Sequence, residues 1–478
     1  MRRLRHARPA PSPSDALAAQ YPSWGRYPTL APARVERVMW RDDIPPLDRL
    51  PGPVLPYAYG RSYGDSCLNA GGTLIDVRGL DRLIAFGPES GVLRCEAGVN
   101  FAQLLPVIVP RGWFLPVSPG TKFVGVGGAI ANDIHGKNHH RGGTFGRHVL
   151  RFELLRSSGE RLVCSPTENA DLFRATIGGL GLTGLITWAE IQLKPITNAY
   201  IAEEIVKFDS LDEWLQITAA SDRDWEYTVS WADCLVGPPR YTRGLFMRGN
   251  HDVNPNRPRT LKPGPKIAMP VDAPGFALNT LSVKAFNELY YGKQFAKRAE
   301  HVVPYEPFFY PLDAILQWNR MYGKRGFFQY QCIVPLGGEN EPIKEIFRRI
   351  HAAGAGSFLV VLKTFGAVPS PGLMSFPQPG ITLALDFPND GANTLRLMDD
   401  LDAVVRESGG RVYPAKDARM SGEMFRASFP QWREFAQHVD PHFSSSFWRR
   451  VMVDGDAAVP VPVGEAEAEP VAAEGARA

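Results

Sequence analysis

Residues 112–146, GWFLPVSPGTKFVGVGGAIANDIHGKNHHRGGTFG, decide how this chain is read. The stretch holds nine glycines, and its pointed side chains are few: Asp133, His135, Lys137, Asn138, His139 and His140. Glycine loses more conformational freedom on folding than any other residue, so a run this dense is costly unless bare backbone is needed. Main chain without side chains lets N–H groups reach a bulky, polar or anionic ligand directly. The stretch reads as one wall of a site for a large ligand.

A second loop earlier in the chain fits that reading. In AYGRSYGDS at 58–66, Gly60 and Gly64 frame Arg61, Ser62 and Tyr63, and Asp65 follows. Turn N–H groups beside an arginine and a serine make an anion nest suited to a pyrophosphate. An ordinary hairpin turn is the plain alternative, and the glycine wall further along favours the nest. GLGLTG at 179–184 matches G-x-G-x-x-G literally, but a dinucleotide fingerprint needs a strand before it and a helix after it. Here the helical DLFRATI precedes and the strand-like LITWAEIQLK follows, which argues against a Rossmann fold. His135, His139 and His140 stand at helical spacing, yet Gly136 and the absence of a nearby Cys or Glu cluster disfavour a metal. VYPAKDAR at 412–419 sets Tyr413 three residues before Lys416. Lys416 reads either as a solvated surface lysine or, with Tyr413, as a group that holds a cofactor edge and acts on a hydroxyl.

Size and composition bound the answer. A chain of 478 residues exceeds one comfortable core, so two domains are expected, one inserted in the other. Hydrophobic content of 44% and charged content of 22% are those of a globular protein. The net charge of +3 is too balanced for a nucleic-acid binder. Five scattered cysteines without a CxxC pair argue against a disulfide framework or structural zinc. The basic N-terminus lacks the apolar run of a secretory signal, and no apolar stretch approaches the ~18 residues of a membrane span, so a cytoplasmic location is expected.

The texture of the chain predicts five segments: a disordered N-terminus (1–18), a mixed α+β domain (19–197), a sheet-plus-helix domain (198–410), a helical return to the first domain (411–451), and a Pro/Glu/Ala-rich disordered tail (452–478). Strands are expected in GGTLIDVRGL, GVLRCEAGV, HVLRFELLR, RLVCSP and GLITWAEIQLKP, then in FFQYQCIVPL, SFLVVLKTFG and ITLALDFP. Helices are expected in NFAQLLPVIVPRG, DLFRATIGG, PIKEIFRRIHAAG and ANTLRLMDDLDAVVRESGG.

Taken in order, GRSYGD, PGTKFVGVGGAIANDIHGKNHH, GGLGLTG, QWNRMYGKRGFFQYQ and YPAKDAR resemble the decaprenylphosphoryl-β-D-ribose 2′-oxidase family. This is the flavin half of a 2′-epimerase, within the vanillyl-alcohol-oxidase (PCMH) type of FAD-linked oxidases. The resemblance runs from about residue 55 to 450 and implies a two-domain α+β FAD-linked oxidase fold with an inserted substrate domain. It implies that Gly60–Asp65 hold the pyrophosphate. Gly120, Gly125, Val126, Gly127, Gly128, Asn132, Asp133, Ile134 and His135 would line the flavin, with Ile186 and Tyr413 completing the cradle. Tyr310, Gln329, Gln331, Lys363, Thr382 and Ala384 match the family's substrate pocket. Ala384 stands where mycobacterial members carry cysteine, which excludes covalent capture through such a thiol here, and Thr382 replaces an asparagine. GRSYGD contains no histidine to tether flavin, so non-covalent FAD is expected.

The resemblance further implies oxidation of the 2′-hydroxyl of a polyprenylphosphoryl ribose, with Lys416 handling the proton, Gln331 and Tyr310 fixing sugar hydroxyls, and Lys363 meeting the phosphate. A separate NAD(P)H-dependent short-chain reductase would complete the epimerisation. The segment 271–293, VDAPGFALNTLSVKAFNELYYGK, mixes apolar, aromatic and basic residues; it reads as core or as a flank that meets a membrane surface. Two other readings stand beside this one: an FAD oxidase of free alditols or aldonolactones, and a catalytically silent flavin- or lipid-binding partner.

Overall fold

The computed structural model describes residues 12–453 apart from 263, 265 and 275–278. Most of the two expected disordered ends, 1–11 and 454–478, lies outside the described residues. Residues 12–18 depart from that expectation, because a helix occupies Pro13–Gln20. Its start is chemically specified: Ser12 caps the Asp15 amide while the Asp15 carboxylate reaches back to the Ser12 amide, and Pro13 fills the first turn.

The first part of the chain forms two small sheets. Strands β1 (Arg34–Arg37), β2 (Val54–Tyr57) and β3 (Thr73–Asp76) pair in parallel in the order β1-β3-β2. Strands β4 (Leu83–Phe86), β5 (Val92–Glu96), β6 (Val149–Leu155), β7 (Arg161–Cys164) and β8 (Leu185–Gln192) make an antiparallel sheet in the order β4-β5-β8-β6-β7. Between β5 and β6 runs the glycine wall, with the short helix α1 (Val126–Ala131) at its centre. The helix Ala170–Thr176 does precede β8, with GLGLTG between them, so these glycines turn the chain from helix to strand.

The second part builds an eight-stranded antiparallel sheet from β9 (Tyr200–Phe208), β10 (Tyr227–Ala232), β11 (Gly244–His251), β12 (Arg298–Pro304), β13 (Phe327–Val334), β14 (Val360–Phe365), β15 (Gly380–Pro388) and β16 (Arg411–Val412). Their spatial order is β12-β9-β11-β10-β14-β15-β13-β16. Residues 411–412 thus add an edge strand to this sheet before the chain returns to β2, where Phe443 bridges Val54. Helix α2 (Thr280–Gly292) lies between β11 and β12, and α3 (Glu341–Ala352) and α4 (Ala392–Glu407) flank β14 and β15 in the chain. On α3, Ile343, Ile346, Phe347 and Ile350 recur at helical spacing and are buried with Phe328, Tyr330 and Cys332 of β13 in one core. Alternate residues of a strand face opposite ways. Gln329 and Gln331 therefore point to the other face, away from α3 and α4.

The closing helix α5 (Ser446–Met452) carries the residue that locks these parts together. Arg450 gives Asp65 two hydrogen bonds, 2.8 and 2.7 Å, and reaches Asp417 at 2.9 Å. Both carboxylates are buried, so Arg450 joins the first glycine loop to the segment bearing Tyr413 and Lys416. Arg450→Met leaves two buried acids without their shared cation, a loss of about 3–5 kcal/mol. A urea titration should show a lower midpoint at unchanged slope.

Candidate active site

Local backbone geometry explains the glycines. Gly60 sits at φ +57°, and a Cβ there would lie 2.2 Å from the Tyr57 hydroxyl oxygen. A Cβ on Gly127 would come within 3.0 Å of the Ala97 Cβ, so its absence lets α1 pack closely on that residue. Gly120 and Gly128 are different: a Cβ on either meets nothing within 4 Å, and both border a cavity of about 1080 Å³. There the wall is bare main chain facing open space.

Most of the residues singled out from the sequence line this cavity. They are Gly60, Arg61, Ser62, Tyr63, Gly120, Gly125, Gly127, Gly128, Asn132, Ile134, His135 and Ile186 on the glycine-rich side, and Gln329, Gln331, Lys363, Thr382, Ala384, Tyr413 and Lys416 opposite. Five do not line it. Gly64 lies where a Cβ would strike the Asp417 carbonyl at 1.7 Å, so its role is packing. Asp65 is turned to Arg450, and Val126 is buried in the core under the wall. Asp133 is wholly buried, accepting from the Gly146 amide at 2.8 Å and the Ser375 hydroxyl at 2.6 Å. Tyr310 sits behind the wall, where its hydroxyl meets Ser118 Oγ at 2.5 Å, and it is Ser118 that reaches the cavity.

The large sheet grips the glycine wall through its side chains. Gln331 Nε2 stands 3.0 Å from His135 Nε2 and 3.3 Å from Thr382 Oγ1. The Lys363 ammonium donates to the Gly136 carbonyl at 3.0 Å, and the Tyr413 hydroxyl to the Asn132 carbonyl at 3.1 Å. With the Gln331 amide donating, His135 Nε2 accepts and its ring proton belongs on Nδ1. That buried Nδ1 has no partner among the described residues, nor does Ser66 Oγ, which also lines the cavity. Both residues border the cavity, and their unpartnered polar atoms mark hydrogen-bonding capacity that the protein alone leaves unfilled.

Burial sets the charges here. It pushes His135 far below its ordinary value, with Lys363 adding to the effect, so the imidazole is neutral. Burial and repulsion from Lys137 and Lys416 bring Lys363 down to about 7. Lys416 is lowered by burial, against the opposing pull of Asp386, and its ammonium rests 3.9 Å from the Tyr63 ring centre. Asp386 is wholly buried, raised by burial, and held by Gln329 Nε2 at 2.6 Å and the Tyr322 hydroxyl at 3.1 Å. The sequence reading missed it, although Asp386 shares its strand parity with Thr382 and Ala384, a signal that was available. Also missed was Trp24, on which the Arg61 guanidinium stacks at 4.1 Å while its Nε bonds the Phe123 carbonyl.

These features fit a flavin dinucleotide. The cavity joins bare backbone and an aromatic-bracketed arginine, suited to a pyrophosphate, to a polar wall bearing orphaned donors and titratable amines. Comparison with known proteins agrees. Residues 49–165 match the model of an FAD binding domain. Decaprenylphosphoryl-β-D-ribose oxidase of Mycolicibacterium smegmatis is 37% identical over 84% of this chain and 89% of its own. An uncharacterized protein of Streptomyces coelicolor is 31% identical over 74% of this chain and all of its own. D-arabinono-1,4-lactone oxidase of Yarrowia lipolytica is 28% identical over only 33% of this chain and 30% of its own.

The fold and site define a two-domain α+β FAD-linked oxidoreductase. Within that class the chain belongs to the decaprenylphosphoryl-β-D-ribose oxidase family.

Gly128→Val would project a branched side chain from the wall into the cavity. The variant should purify colourless with an unchanged far-UV circular dichroism spectrum, whereas the parent carries the flavin's visible absorption.

Proposed function

We propose that this chain oxidises the 2′-hydroxyl of a polyprenylphosphoryl-β-D-ribose to the 2′-ketone, the first half of an epimerisation to the arabinose form. The observation that carries the reading is that Lys416 and Gln331 line the cavity opposite the glycine-rich side, where Gln331 meets the neutral His135 of that side. The relative in Mycolicibacterium smegmatis, named for this substrate, supports it along most of both chains. The lactone oxidase alternative draws on a relative that matches a third of the chain.

Bound FAD supplies the acceptor for the carbon-bound hydrogen and its electron pair. The protein's part is placement and proton handling. The glycine loops hold the dinucleotide, and the first of them, Gly60–Asp65, contains no histidine, in keeping with non-covalent FAD. Gln331 is pinned between His135 and Thr382, so its amide orients one sugar hydroxyl. Lys416, kept partly neutral by its dry surroundings, takes the hydroxyl proton as the carbon is oxidised. Lys363 is already bonded to Gly136, so its contact with substrate is a second interaction of the same ammonium. The ketone product then needs reduction by a separate hydride-donating enzyme, for which a short-chain NAD(P)H-dependent reductase is the expected partner.

Lys416→Met should retain FAD yet lower kcat by about 10²–10⁴-fold, the usual worth of a positioned proton acceptor. In the parent protein kcat/KM should rise with pH through a limb well below the ordinary lysine value of about 10.4, because burial favours the neutral amine. That limb should be absent from the residual activity of the variant. Full turnover by Lys416→Met would exclude the assignment.

A peripheral contact with anionic lipid belongs to the same proposal. Among the described residues no helix is long and apolar enough to cross a membrane. Leu281 and Leu289 on the outer side of α2, with Phe295 just beyond it, are 79%, 76% and 97% exposed, and Lys284 and Lys293 are exposed among them. Replacing the three apolar residues by serine should abolish co-sedimentation with vesicles containing phosphatidylserine. Sedimentation equal to that of the parent would remove the contact.

A further inference from the structure

The cavity extends well beyond the groups that chemistry requires. Across the face of the large sheet turned away from α3 and α4, Gln331 pairs with Ala384, Ala384 with Val361, and Val361 with Trp231. One side-chain step along β10, Val229 pairs with Met247, and Met247 with Ile205 on β9. All of these residues line the same cavity. From β13 to β9 the row crosses five strand spacings of about 4.8 Å, or about 24 Å in all. Along it polarity falls: the amide bonded to His135 stands at one end, and Val229, Met247 and Ile205 stand at the other.

Helix α2 roofs that far end. Val283, Phe286 and Tyr290 on its inner side line the cavity, and the Tyr290 ring lies 4.7 Å from that of Trp231. Polar residues border the cavity here too, Lys137 and Glu203 together with Ser282 of α2 and Lys293 just beyond it, and the Lys293 ammonium lies 3.6 Å from the Tyr290 ring centre. Lys137 donates to the Phe308 carbonyl with its ammonium 4.4 Å above the Phe308 ring, and burial raises the Glu203 carboxyl. Nothing in the oxidation uses this lobe, and an apolar, roofed extension continuous with a sugar site needs an apolar occupant.

We propose that the lobe between α2 and strands β9, β10 and β11 is a prenyl channel that takes the first isoprene units of the substrate's lipid chain while the sugar lies at Gln331. This inference rests on the polyprenylphosphoryl-ribose reading above. It differs from the membrane contact, which uses Leu281, Leu289 and Phe295, none of which lines the cavity.

The test uses the full-length FAD-loaded protein and two synthetic substrates, farnesylphosphoryl-β-D-ribose and methylphosphoryl-β-D-ribose, in a dye-reduction assay. The readout is the ratio of their kcat/KM values. Burying a few isoprene carbons at the usual worth of apolar area favours the farnesyl ester on the order of 100-fold or more in the parent. Met247→Trp, from the sheet, and Val283→Trp, from the helix, each fill the lobe and should reduce the ratio at least tenfold at matched flavin content. Two sites on different elements keep the test informative if one variant folds poorly. A ratio preserved in both filled variants, or a parent that does not distinguish the esters, overturns the channel while leaving ribose oxidation standing. A parent that oxidises neither ester overturns the ribose reading, and the channel with it.

Discussion

Asp133 stands at φ +38° with its carboxylate completely buried, and among the described residues no cation pairs with it. The Gly146 amide and the hydroxyls of Ser370 and Ser375 hold it instead. A buried carboxylate is tolerated only when its acceptor sites are filled. Meeting that requirement draws residues 370–375, which lie between two strands of the large sheet, onto the turn that follows α1. The carbonyls of Asn132 and Gly136, either side of this turn, are then presented to Tyr413 and Lys363. The glycine wall has little rigidity of its own, and the grip on Asp133 makes it a defined surface.

Charge in the cavity is arranged around scarcity of water. Lys137, Lys363 and Lys416 all line it, and burial lowers all three, Lys137 to about 8. Repulsion among them is strongest on Lys363, which feels both of the others. Asp386 opposes this at the Lys416 end from behind Gln329. Such an interior is poised for an anionic ligand, since the fixed dipoles and amines are oriented before anything binds.

Much of the fold could be read from local signals. The β-branched runs became strands, and the apolar spacing of Ile343, Ile346 and Phe347 marked a helix face. The order of helix, GLGLTG and strand was also plain from the sequence. The glycine loops pointed to a ligand through Gly120 and Gly128, where packing asks for no glycine, while Gly60, Gly64 and Gly127 answer to close packing. What stayed hidden depends on partners far apart in the chain. Arg450 meets Asp65 across 385 positions, and nothing local to either predicts it. Asp65 reads as part of an anion nest because it follows the loop Gly60–Gly64, and Tyr310 reads as a pocket residue although Ser118 stands between it and the cavity. The apolar lobe was invisible for a related reason. Ile205, Met247 and Val229 become neighbours only when β11 inserts between β9 and β10, an order the linear sequence does not contain.

Register on the large sheet has an evolutionary corollary. Gln331 faces the cavity and Cys332 faces the helices, so a single inserted or deleted residue in β13 would exchange amide for thiol and turn every later side chain inside out. Length changes within these strands are therefore costly unless a bulge absorbs them, whereas exchanging side chains at fixed grid points leaves the register intact. Thr382 and Ala384 are two such points: they line the cavity beside Gln331, and replacing either alters the chamber's shape without disturbing a single backbone pairing.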